Sequence, residues 1–297
     1  MKKILLPTDF SQDAEKAYVV AAELARKHNA EVFLTHLAIS WTGMLSMYNI
    51  YDELELVDAT QKDFLMRAIK KMRELKNSTV FNGININGEV KLMNTTNSVQ
   101  EFIDFANTED FDLIVLGTSG HDEQLESFAE ELTRNSKAPV ISCYKKVEEF
   151  NPSHILIATD LETVNAGFFN RLNKVMGTKS YPKTILFVNT KKNFATDTEI
   201  NHSFKTVVNK YHLENAHLKT INANDIDEAI LAESKDNVYD LLAITTHGRT
   251  GFSRLFFKSH AEELVNKSDT PVFTYNLHDF LENVADNVGG FHSGFTG

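Results

Sequence analysis

The segment AITTHGRTGFSRLFFKSHAEEL, residues 243–264, leaves an apolar run through Gly248 and continues with helical spacing, carrying His247, Arg249, Arg254, Lys258 and His260. Backbone N–H groups at a glycine turn that feeds a helix, flanked by cations, can hold an anion such as phosphate. The same residues also suit an ordinary strand-to-helix connection with surface charges. A second group of interest is Asp9 and Asp160, which follow Thr8 and Thr159 at the ends of the apolar runs KILLP and HILIA. A carboxylate there can accept hydrogen bonds from a ribose, or it can simply cap the next helix, near Phe10 and Leu161.

Other chemistries lack their residues. There is no Gly-x-Ser-x-Gly elbow and no Gly-x-x-x-x-Gly-Lys-Ser/Thr loop, and the eleven histidines never fall into His-x-x-x-His spacing. His121, Asp122 and Glu123 read as a solvated helix start rather than a metal site. The single cysteine, Cys143, lies in APVISCY and reads as a small core residue in a reducing compartment. A formal net charge of −11 disfavours a sequence-independent grip on nucleic acid or on an anionic membrane. The apolar run after Lys2 and Lys3 stops at Pro7, too short for a signal core or a membrane span, so a cytoplasmic chain is expected. KKMREL at 70–75 reads as a solvated helix face.

The elements that position these residues occur twice. KKILLPTDFS at 2–11 matches SHILIATDLE at 153–162, DFDLIVLGTSG at 110–120 matches NVYDLLAITTHG at 237–248, and SFAEELTRNSKAPVI at 127–141 matches SHAEELVNKSDTPVF at 259–273. Three matches in one order mark a tandem duplication. Partners stand 151 residues apart at the aspartates, 128 at Gly120 and Gly248, and 132 at Pro139 and Pro271. The first repeat thus holds 23 extra residues in its middle, near SWTGMLSMYNIYDELELVD at 40–58, a flap or a surface helix carrying Trp41, Tyr48 and Tyr51.

Each repeat alternates short apolar runs with helical spacing. One helix is expected over 11–28, others near 58–76, 98–107 and 122–136, and in the second repeat over 162–176, 197–212, 225–235 and 252–267. Such alternation requires parallel pairing with right-handed crossovers. The fold class is α/β, two doubly wound five-stranded sheets, with domains over 1–147 and 148–278 and a tail over 279–297. In such sheets ligands bind beyond the carboxyl ends of the strands where strand order reverses. That rule joins the first-strand ends to Gly117–Gly120 and Thr245–Gly248.

ILLPTDFS, DLIVLGTSG, DLLAITTHGRTG and SHAEELVNKSDTPVF together resemble the universal stress protein family, in its arrangement with two domains on one chain, over residues 2–275. The resemblance implies strand order 3-2-1-4-5, domains paired through their fifth strands, and adenine-nucleotide binding through Gly-x-x-Gly, nine residues, then Gly-Ser or Gly-Thr. In the second repeat Thr245 stands at the first glycine, Gly248 at the second, the spacing Arg249–Phe257 is kept, and Lys258-Ser259 replaces Gly-Ser. The implied nucleotide site comprises Ala158, Thr159, Asp160, Val188, Thr245, Thr246, His247, Gly248, Arg249, Lys258, Ser259 and His260, with Asp160 toward ribose, the Val188 backbone at the adenine edge, Thr246–Arg249 and Ser259 toward phosphates, and Lys258 as an added counter-charge. Its ligand is ATP or AMP, with accompanying Mg2+ left open.

The first repeat keeps Gly117 and Gly120 but has only five residues, His121–Leu125, before Glu126-Ser127, and Asp122, Glu123 and Glu126 oppose a polyphosphate. Thr8, Asp9, Leu37, Gly117, Gly120 and Ser127 are therefore expected to form a degenerate pocket whose glycines serve the turn. The expected function is a stress-response protein that binds nucleotide in the second repeat and signals by association with an unidentified protein. The alternative is a scaffold that has lost nucleotide in both repeats. ATP hydrolysis is the least supported reading because no general base is evident, and homodimer formation is left open.

Overall fold

The computed structural model describes residues 1–40, 59–94, 98–119, 123–162, 164–177, 181–191, 194–235, 238–246 and 264–276. The first repeat contributes β1 (Lys3–Pro7), α1 (Gln12–Glu15), α2 (Tyr18–His28), β2 (Glu31–Ser40), α3 (Ala59–Lys76), β3 (Ile86–Asn94), α4 (Ser98–Thr108), β4 (Leu113–Gly117), α5 (Glu123–Asn135) and β5 (Val140–Cys143). The second contributes β6 (Ile155–Ala158), α6 (Ala166–Met176), β7 (Lys183–Asn189), α7 (Asp197–Tyr211), β8 (Ala216–Asn222), α8 (Ile226–Ser234), β9 (Leu241–Thr246) and β10 (Val272–Asn276). Residues 264–267 are helical. The expected insertion at 41–58 and the tail at 279–297 lie outside the described residues.

All ten strands form one sheet in the order β3-β2-β1-β4-β5-β10-β9-β6-β7-β8. Each half has the order 3-2-1-4-5, and every pairing is parallel except β5 with β10. Apolar strands buried on both faces explain this: ILIA and VISC are buried throughout, as a parallel sheet covered by helices requires. The fifth strands end each crossover series, and their antiparallel pairing removes two exposed edges at once. One face carries a continuous core across both repeats, from Ile4 and Val32 to Phe168 and Phe273, whereas the other holds a separate core for each repeat. Lys174 to Asp112, and His28 to the Val175 carbonyl at 2.6 Å, also join the repeats.

The helix expected over 11–28 is two helices. Lys16 and Ala17 bond back to the carbonyls of Asp13 and Ala14, at 3.2 and 3.1 Å, and this tightened turn ends α1 before α2 begins. Caps define other ends: Asn165 accepts from Phe168 N–H, Thr196 and Glu199 form a reciprocal box, and Asp225 accepts from Glu228 N–H.

The described residues of the two repeats differ in kind at one equivalent place near the amino ends of their strands. In the first, Phe33, Phe105 and Phe111 pack edge to face, with ring centroids 5.3 and 5.6 Å apart, and the ammonium of Lys91 lies 3.9 Å from the Phe105 centroid. In the second, the corresponding residues are Thr184, Glu233 and Tyr239. Glu233 Oε1 accepts from Lys219 Nζ at 2.6 Å and from the Tyr239 hydroxyl at 2.7 Å, and His154 Nε2 meets Thr184 Oγ1 at 3.0 Å. Burial lowers the pKa of His154 below its ordinary 6.5; Asp240 opposes this and His217 adds to it. Burial does the same to His28 and His36. A base whose pKa is depressed on folding binds protons more readily when unfolded. Stability is therefore full above pH ~6.5 and falls as pH drops through the lowered folded values. Urea denaturation between pH 7.5 and 5 is expected to show this loss, and His154→Gln should flatten the slope in part; an unchanged slope would remove His154 from the account.

Candidate functional site

β6 lies between β7 and β9, and Ala158 is in register with Leu186 on one side and Ile244 on the other. The carboxyl ends of β9, β6 and β7 thus meet at the point where strand order reverses, the place where sheets of this kind bind ligands. Ala158 ends β6, and Thr159 and Asp160 follow, all three buried. Thr159 N–H donates to the Leu186 carbonyl at 3.1 Å. In a strand the N–H and C=O of alternate residues face the same neighbour. The Val188 peptide therefore faces the β6 side, one rung beyond the end of β6. Asn189 faces the other way, since its carbonyl accepts from Ala223 N–H at 3.0 Å.

After the strand comes a turn that both repeats share. Leu161 has φ 65° and Phe10 has φ 63°, a left-handed conformation that bulky residues rarely adopt. The preceding pair holds it: Thr159 Oγ1 accepts from Leu161 N–H at 3.1 Å and Asp160 Oδ1 from Glu162 N–H at 3.0 Å. Thr8 Oγ1 and Asp9 Oδ1 do the same for Phe10 and Ser11, at 3.0 and 2.8 Å. Holding a strained residue costs on the order of 1 kcal/mol, so both side chains support the turn geometry. The capping role is thus corrected. The N-caps are Ser11 and Asn165, and the aspartates close the turn before them. Sequence reasoning found the aspartates but not the threonines' part, whose only trace was the repeated Thr-Asp-apolar triplet.

Thr245 and Thr246 end β9, in register with Tyr275 and Asn276. His247, Gly248, Arg249, Arg254, Lys258, Ser259 and His260 lie outside the described residues, as do Gly120 and the aromatic residues Trp41, Tyr48 and Tyr51. In the first repeat Leu37 lies in β2 and Ser127 in α5. Gly117 ends β4 against α1, and a Cβ built on it would stand 1.8 Å from the Asp13 carbonyl oxygen.

Two side chains that sequence reasoning missed occupy the first repeat's strand ends. Lys16 Nζ donates to the Thr118 carbonyl at 2.9 Å, pairs with Asp13, and lies 5.4 Å from the Tyr144 ring centroid. His36 Nδ1 meets the Thr8 carbonyl at 2.8 Å while its ring lies 4.6 Å from that of Phe10. The residues equivalent to Phe10 and His36 in the second repeat are Leu161 and Phe187, both buried in the shared core. Among the described residues no group of three or more histidines, cysteines or acidic residues could hold a metal, and no helix is long and apolar enough to cross a membrane.

Fold and site define a doubly wound α/β protein whose two halves are duplicates joined edge to edge. The universal stress protein family model matches residues 1–143 and 214–276, and the chain belongs to that family. Universal stress protein MJ0531 of Methanocaldococcus jannaschii is 28% identical over 154 residues, half of this chain and 85% of that relative. Among solved structures, a universal stress protein from Archaeoglobus fulgidus matches with TM-score 0.63 and 18% identity, covering 92% of this chain and 98% of that one. A putative universal stress protein from Pseudomonas aeruginosa gives TM-score 0.58 and 14% identity, covering 97% and 98%. At these identities the structures bear on the fold alone.

Proposed function

We propose that the second repeat binds an adenine nucleotide, ATP or AMP, across the carboxyl ends of β9, β6 and β7, and that the bound state alters association with a protein partner. The reading rests above all on the convergence of three groups at adjacent strand ends. These are the Val188 peptide facing the crevice, the buried Thr159–Asp160 turn, and the end of β9 that leads by sequence into the glycine turn. A peptide presents one donor and one acceptor, which suits an adenine edge, and a carboxylate has several acceptor sites, which suits a ribose diol. The residues described in the second repeat therefore fit the adenosine part of the ligand. In the first repeat, Lys16 and His36 already engage the strand ends, and the acidic residues after Gly120 oppose phosphate. One nucleotide per chain is the expected stoichiometry.

Calorimetric titration of nucleotide-free protein with Mg-ATP, beside Lys258→Glu, tests the reading. Binding near one per chain is expected, weakened roughly tenfold in the variant as a phosphate counter-charge becomes a repulsion. Absence of heat and of thermal stabilisation at millimolar ATP would reject nucleotide binding and leave the scaffold reading.

A further inference from the structure

The place near the amino ends of the strands where the repeats differ in kind carries chemistry that the nucleotide reading does not use. In the first repeat Phe33, Phe105 and Phe111 fill it, and the ammonium of Lys3 lies 5.6 Å from the Phe33 centroid. In the second repeat the same four positions hold Thr184, Glu233, Tyr239 and His154. Both repeats have one fold, so phenyl rings are enough to pack this place. A buried ion pair seldom stabilises more than apolar residues of similar volume, and a buried polar network is costly unless every member is satisfied. The polar version is therefore explained by something other than stability.

Its hydrogen bonds run in one direction. Glu233, buried in the last turn of α8, pairs with Lys219 at 2.6 Å, and a carboxylate in an ion pair only accepts. The Tyr239 hydroxyl must therefore donate to Glu233 Oε1, at 2.7 Å, and burial together with that bond holds its pKa above the ordinary 10, so its proton stays in place. The tyrosine oxygen is left as an acceptor. Thr184, which also bonds the Tyr239 hydroxyl, must donate to it. With its one proton committed, Thr184 Oγ1 can only accept from His154 Nε2, 3.0 Å away. The charge on Glu233 thus fixes, through two hydroxyls, which nitrogen of His154 carries the proton, and leaves Nδ1 to take up the next one. The His154 ring stands edge to face with that of Tyr239, centroids 5.0 Å apart.

We propose that His154, Thr184, Tyr239 and Glu233 form a pH-responsive hydrogen-bond relay that couples a partly exposed imidazole to a buried carboxylate. Histidine is the side chain whose charge ordinarily changes near physiological pH. A proton arriving at Nδ1 makes Nε2–H a stronger donor and polarises each bond toward Glu233, while every proton stays on its own atom. Other groups bear on the ring from the neighbouring elements. Asp240, before β9, favours the imidazolium, and His217 in β8 opposes it. Lys219, also in β8, balances Glu233, and Lys183, next to Thr184 in β7, turns its ammonium to the Tyr181 and Glu214 carbonyls. The relay ends beside the junction between the repeats: the Ser234 carbonyl, next to Glu233, accepts from the Thr270 hydroxyl at 2.8 Å, just before β10.

The test is the imidazole nitrogen–proton correlation spectrum of the full chain between pH 8 and 5, for wild type, Tyr239→Phe and Glu233→Gln, with melting temperatures and with His154→Gln to assign the signal. Wild-type His154 is expected as the Nε2–H tautomer, taking its second proton at Nδ1. Tyr239→Phe supplies the ring that the first repeat has as Phe111, and is expected to release the Thr184 hydroxyl toward His154 and move the neutral imidazole to the Nδ1–H tautomer. Glu233→Gln is expected to shift the His154 midpoint to lower pH, because a negative charge that favours the imidazolium is lost. A wild-type Nδ1–H tautomer would overturn the relay whatever the variants do. So would a folded Tyr239→Phe protein with its tautomer unchanged, or a Glu233→Gln protein with its midpoint unchanged. A purely structural group would lower the melting temperatures and leave tautomer and midpoint where they were.

Discussion

Gly117→Ala is expected to destabilise the protein by about 3 kcal/mol, the upper end of overpacking costs. The added Cβ would stand 1.8 Å from the Asp13 carbonyl oxygen and 2.7 Å from its carbon. Those atoms are backbone, so no rotamer change relieves the clash and α1 itself must leave the end of β4. Urea denaturation should show the loss as a lower midpoint with an unchanged slope. Stability within about 0.5 kcal/mol of wild type, the range of an ordinary surface change, would mean that α1 does not close on β4. The same variant separates packing from binding. Gly117 serves the approach of α1, so the stoichiometry of one nucleotide per chain proposed above is expected to be unaffected. The second repeat has Thr245 at this position and begins α6 later relative to its strand, after Asn165.

Asp112→Asn is expected to cost about 2 kcal/mol at neutral pH and to remove a section of the acid profile. Asp112 Oδ2 accepts from the backbone N–H groups of Lys2 and Lys3, at 2.5 and 3.1 Å, and Oδ1 pairs with Lys174 of the second repeat. Burial alone would raise its pKa, but Lys174 and the two N–H groups outweigh burial and lower it to about 2 from the ordinary 3.8. A carboxylate depressed on folding contributes stability that is present above the unfolded value and lost as pH falls through the folded one. The window here is therefore from about 4 down to about 2. The drop from 3.8 to about 2 corresponds to ~2.4 kcal/mol, discounted because the partner Lys174 is 43% exposed. Denaturation at pH 7, 4 and 2.5 should show the wild type converging on the variant at the acid end. Parallel curves would assign the loss to something other than ionisation. Asp240 offers an internal comparison, since it holds Ser153 N–H at 2.7 Å and His154 N–H at 3.0 Å in the second repeat.

What the sequence by itself determined is what short-range pattern and repetition can encode. The duplication, the alternation of strands and helices, the pairing of Asp9 with Asp160 and of Asp112 with Asp240, and the strand ends that meet at the switch point were all legible there. The buried strands read as continuous apolar runs, and the order 3-2-1-4-5 followed from the resemblance. The break between α1 and α2 was not legible, because Ala14, Ala17 and Ala21 keep helical spacing straight through a tightened turn. Nor were the positive φ angles of Phe10 and Leu161, since bulky residues adopt them only where Thr and Asp side chains hold the following peptides.

Only the tertiary structure decided what depends on distant segments meeting. It showed which backbone Gly117 must admit, the Asp13 carbonyl of α1, and placed Lys16 and His36 at the first repeat's strand ends. It also made one equivalent site an aromatic cluster in the first repeat and a hydrogen-bonded Glu233–Tyr239–Lys219 group in the second. The antiparallel β5–β10 junction brought the end of α5, at the Arg134 carbonyl, to Asn276 of the far repeat. A periodicity records which face of its own element a residue occupies. Which other element's end lies opposite is set by the hand of the crossovers and the direction of the pairing strands, neither of which is written near Arg134 in the chain.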